Sequence, residues 1–189
     1  MSKYTKIYKF YDSDDTGFEE YNIIGSDYKK LIEICCKYCK TLSLIITNPK
    51  SELFKKLEAF EIEKSKNISF EYTHYDKRIG FIKYYKVTPE LYNTIIDNTN
   101  EIFCWINGWG FSNPEDPTFY REDGSVFFTS TIHDGECTLM VKNEDVSEIV
   151  SDPNWLLAKE NIQLEDFNQW MIQSIGAKKH MRSGNASLS

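Results

Sequence analysis

The side chains able to do chemistry in this chain are few, and the densest group is a histidine flanked by acids. His133 stands in Thr131-Ile-His-Asp-Gly-Glu-Cys137, with Asp134 and Glu136 close in sequence. An imidazole beside carboxylates can act as a general base or join a hard-metal site. In a strand, however, neighbouring side chains alternate faces, and the tight turn expected at Asp134-Gly135 directs the acids into solvent. The plainer alternative is a turn-flanking histidine with solvated acids. Of the other two histidines, His74 falls in an aromatic-rich strand pattern and His180 in the polar tail. Cys35, Cys36 and Cys39 form a second group at helical spacing. It has no further Cys/His pair at zinc-like spacing, and a mid-helix position does not lower a thiol pKa as a helix start does. These cysteines read as small apolar core residues. Gly108-Trp-Gly110 lacks the lysine and further glycines of a phosphate loop, and Asp12, Asp14 and Asp15 lack the glutamate that a calcium loop needs at its twelfth position. No cofactor, no metal and no catalytic set is therefore assigned.

The most individual stretch is Trp105-Ile-Asn-Gly-Trp-Gly-Phe-Ser-Asn-Pro-Glu-Asp-Pro-Thr-Phe119. Proline disfavours the helical region for the residue before it, so Asn113 and Asp116 are expected to be extended and 114–117 to form a stiff loop. Trp109, Phe111 and Phe119 can then serve as anchors, with Glu115 and Asp116 supplying charge. The Trp…Pro-Glu-Asp-Pro-x-Phe run, the hairpin after it and His133-Asp134 together resemble a segment of small uncharacterised bacterial proteins, some of them immunity-type. That resemblance covers this stretch alone and brings no active site with it. It implies a structural hallmark, in which the histidine packs back against the loop.

Charge sharpens this. The 189 residues carry a formal net charge of −7, but the imbalance is local. Residues 1–112 are balanced, whereas 113–152 hold ten acids against only Arg121 and Lys142, a net of −8. Most of those acids fall at expected turns. A surface of one sign steers an oppositely charged partner and speeds its association. The plainer reading is a solvated surface whose acids are good turn formers. The acidic balance argues against nucleic acid as the partner. With no apolar N-terminal run and no span-length apolar segment, neither a signal peptide nor a membrane segment is expected, which makes the cytoplasm the expected compartment. Five cysteines, an odd number, fit free thiols there.

These residues need elements to position them. At 41% hydrophobic and 15% aromatic the chain has ample material for a core. Lys3–Tyr11 reads as a strand. Ser26 reads as the N-cap of a helix whose stripe is Tyr28, Leu31, Ile32, Cys35, Tyr38, Cys39 and Leu42. Leu42–Thr47 is a buried strand, and Asn48-Pro49 and Thr88-Pro89 each read as cap plus first-turn proline. Ile68–Tyr75 and Ile79–Val87 form a hairpin, and Glu101–Ile106 a short strand. Thr118–Glu122, Ser125–Ile132 and Cys137–Val141, joined by Asp-Gly turns that need two positive φ values, form a three-stranded meander. Short helices follow Asn143 and Asp152, and another covers Leu164–Ile175. The fold class is α+β, a mostly antiparallel sheet packed by amphipathic helices. It forms one domain over 1–176, with a seam open between lobes 1–87 and 101–176, and 177–189 is expected to be a disordered tail.

Two functions fit. One is a cytosolic interaction module binding a basic protein through Trp109, Phe111, Glu115, Asp116, Phe119, Glu122, Asp123, His133, Asp134 and Glu136, with an immunity-type toxin neutraliser as its most concrete form. The other is a small hydrolase, metal-dependent or not, centred on His133 with Asp134, Glu136 or Glu115.

Overall fold

Apolar residues at steps of three and four bury one face of helix α1 (Gly25–Tyr38): Tyr28, Leu31, Ile32 and Cys35 are all inside. The helix starts earlier than Ser26. Ile24 is its N-cap, and Gly25, at φ +61°, donates its N–H to Asn100 O at 2.9 Å. Only glycine takes that backbone angle without penalty. Cys39 closes the helix, its N–H donating to Cys35 O at 3.0 Å, so Cys36 and Cys39 lie at the end of α1 and not in its middle. These features come from a computed structural model that describes residues 6–11, 23–62, 69–72, 78–108, 110–132, 135–142 and 160–161. The helices expected after 143 and the tail 177–189 lie outside the described residues.

Asn48-Pro49 does not cap helix α2 (Glu52–Leu57). Ser51 does, its hydroxyl accepting from Phe54 N–H at 3.3 Å. Asn48 instead closes the preceding turn, its side-chain oxygen accepting from Lys50 N–H at 3.0 Å. Thr88-Pro89 does start helix α3 (Pro89–Ile96), with Thr88 Oγ1 accepting from Leu91 N–H at 3.2 Å. The missing proline N–H costs nothing there, because the first turn has no intrahelical acceptor.

Among the described residues the strands are β1 (Lys6–Tyr11), β2 (Thr41–Ile46), β3 (Ser69–Tyr72), β4 (Arg78–Lys86), β5 (Asn107–Gly108), β6 (Phe111–Ser112), β7 (Glu115–Tyr120), β8 (Val126–Thr131), β9 (Glu136–Val141) and β10 (Glu160–Asn161). Eight of them form one sheet in the order β10-β1-β9-β8-β7-β2-β4-β3, antiparallel at every pairing. The architecture is α+β with the expected β7-β8-β9 meander. Leu42, Leu44 and Ile46 of β2 join Phe119, Phe128 and Leu139 and the buried residues of the helices in one apolar core. The alternate row runs Tyr84, Ser43, Thr118, Thr129, Thr138 across five strands, and Thr118 and Thr129 share a hydroxyl bond of 2.9 Å.

Glu101–Ile106 is not a strand. Glu101 makes one bridge to Ile24, and Ile102–Cys104 coil into a 3₁₀ turn. All five residues 102–106 are buried. A short, wholly apolar run satisfies either geometry, and tertiary contact decides. Here Trp105 decides it: its Nε1–H donates to Tyr28 Oη at 2.9 Å, Tyr28 Oη bonds Thr99 Oγ1 at 2.7 Å, and Thr99 donates to Ile95 O at 2.7 Å. One polar chain thus ties the 102–106 segment to α1 and α3 inside the core. The β5–β6 hairpin, turning through Gly110 at φ +90°, was not evident from the sequence.

The Asp123-Gly124 turn also differs from expectation. Gly124 N–H donates to Arg121 O at 3.0 Å and Arg121 N–H to Ser125 O at 2.8 Å, with positive φ at Gly124 alone (+76°). This is a three-residue loop closed by a glycine bulge, so Asp123 keeps an ordinary backbone. It spends its side chain on Ser125 N–H at 2.9 Å instead.

Candidate functional site

Residues 105–119 and the meander make up the region singled out by charge and aromatic content. The antiparallel register divides that region between two ends of the sheet. One end holds the finish of β2, the start of β7, the finish of β8 and the start of β9. The other holds the opposite termini, with the Glu122–Gly124 turn. The six residues of β7 separate them by roughly 17 Å at about 3.4 Å per residue. Among the described residues, the acids of this stretch therefore do not form one continuous patch.

At the first end the Pro-Glu-Asp-Pro segment is strand and bulge, not exposed loop. Ser43 faces Thr118 and Ile45 faces Glu115, so Asp116 and Pro117 together oppose Leu44. A bulge is where a sheet tolerates proline, since no ladder donor is needed there. Asp116 is not extended: its φ is +51°, the left-handed region. Aspartate accepts this region more readily than most residues, and here its carboxylate also gains a partner, accepting from Ile132 N–H at 2.7 Å. Glu115 is fully buried and accepts a hydrogen bond from the Thr47 hydroxyl. Asn113 donates its amide to Cys104 O at 2.9 Å, and Asn48 donates its amide to Ser112 Oγ at 2.7 Å.

Three of the residues expected on a partner-facing surface are thus internal. Glu115 and Phe119 have no exposure and Asp116 has 9%. Phe119 packs edge-on against Phe128 in the core, with ring centroids 6.4 Å apart. These residues hold the fold together, and Glu115 is not a free acid awaiting a histidine. Phe111 is exposed as expected, and Glu136 is half-buried. Trp109, His133 and Asp134 lie outside the described residues. The sequence reading missed Phe81, which is 39% exposed opposite Ile46 at this same end. A half-exposed phenylalanine inside an apolar strand gives no signal in sequence.

The second end keeps its acids outside and offsets them. Glu122 and Asp123 are exposed. Lys142 Nζ stands 2.8 Å from Asp123 Oδ2, and this bond, with those from Ser125, holds the Asp123 carboxyl below the ordinary carboxylate range. Register brings exposed Lys40 and Lys86 here as well: Thr41 faces both Lys86 and Tyr120, and Lys40 N–H donates to Tyr120 O at 2.9 Å. Arg121 lies inside, donating to Val126 O at 2.9 Å and Met140 O at 2.7 Å, with its guanidinium 4.7 Å from the centre of the Phe127 ring. Glu122 and Asp123 thus share this end with Lys40, Lys86 and Lys142.

All five cysteines are free thiols, four of them buried. Burial raises the Cys36 thiol to about 12 and the Cys104 thiol to about 11, so both stay protonated and weakly nucleophilic. Among the described residues no group of three or more His, Cys, Asp and Glu side chains is placed to hold a metal ion. No described helix is long and apolar enough to cross a membrane. No protein-family model, curated protein or solved structure matches this chain.

Proposed function

We propose that this chain is a protein-interaction module that binds a basic protein partner, in the manner of an immunity-type protein neutralising a toxin. The observation that carries the reading is the net −8 concentrated in residues 113–152 of an otherwise balanced sequence. It is supported by the exposed Phe111, which offers an aromatic anchor, and by Glu122 and Glu136, which keep carboxylates at or near the surface. A cytoplasmic setting is supported by the five free thiols.

The test uses the tagged full chain as bait in a lysate of its source cells, beside a variant carrying Glu122→Lys and Glu136→Lys. The expected outcome is a basic protein retained at low salt by the native chain and lost from the variant. Co-expression of the native chain should relieve that protein's toxicity. A captured set unchanged by charge reversal, or a captured protein whose toxicity is not relieved, overturns the reading.

A further inference from the structure

We draw no further inference here: the strongest candidate, the surface at the end of β2 flanked by the exposed Phe81 and Phe111, carries none because nothing in the structure shows what covers it.

Discussion

The two ends of the meander solve the same problem in opposite ways. At the Pro-Glu-Asp-Pro end, the carboxylates of Glu115 and Asp116 are drawn inside and given hydroxyl and amide donors. At the Asp-Gly end, Glu122 and Asp123 stay in water, and Lys142 pairs with Asp123. The first arrangement makes an acid part of the architecture, because a buried carboxylate must keep its donors or lose several kcal/mol. The second leaves an acid replaceable, because screened surface pairs contribute little. Local charge in a sequence therefore says where acids are dense, but burial and register decide which of them a partner could meet.

Substitution separates the two ends. The largest effect is expected for Asp116→Ala, which strands the buried Ile132 N–H and places alanine at φ +51°: a loss of about 3 kcal/mol in denaturant unfolding. Asp116→Gly should recover about 1 kcal/mol of that, since glycine accepts the angle but still leaves the N–H without its acceptor. Equal losses for both would show that backbone angle plays no part. Next comes Gly124→Ala at the other end. No atom lies within 4 Å of an added Cβ, so the cost is conformational alone, about 1 kcal/mol. A loss above about 2 kcal/mol would mean that this turn is structurally as demanding as the bulge. A smaller effect concerns pH. Asp123 has a depressed carboxyl pKa in the folded chain, so its contribution is present above the unfolded value of about 4 and fades as pH falls towards the folded one. Asp123→Asn should flatten the acid side of the stability profile, and an unaltered profile would remove the Lys142 pairing as its cause. The smallest effect belongs to Glu122→Lys, expected within about 0.5 kcal/mol of the native chain.

Local rules served well where a local rule sufficed. The α1 stripe, the Thr88-Pro89 start of α3 and the order of the meander depend on side-chain period and capping, which neighbours in sequence determine. Three of the differences share one cause. Ile102–Ile106 became a coil because Trp105 finds Tyr28, far away in the chain. Asp116 left the extended region because β2 and β8 fix it from both sides. The acidic stretch divided because the antiparallel pairing of β2, β7, β8 and β9 sends its turns to opposite ends of the sheet. Ser26 and Asn48 were misjudged as caps for a smaller reason: several polar residues near each start could serve, and Gly25 and Ser51 decided the matter. Of the expected contact residues, Phe111 and Glu122 are exposed, Asp123 is exposed but paired with Lys142, Glu136 is half-buried, and the three at the bulge are inside.

The bulge at Asp116-Pro117 also bears on how this chain can change length. Side chains in a strand alternate, so a slip of one residue would carry Phe119 out of the core and Thr118 into it. The carboxylate of Asp116 reaches one particular amide, that of Ile132, and Pro117 offers no donor with which to begin an alternative ladder. Together they act as an index mark for β7 against both of its neighbours. Residues inserted at the Glu122–Gly124 turn leave that mark untouched, so length variation should collect there. A single deletion between 114 and 118 would move the mark itself, and the sheet would have to find its phase again on both sides.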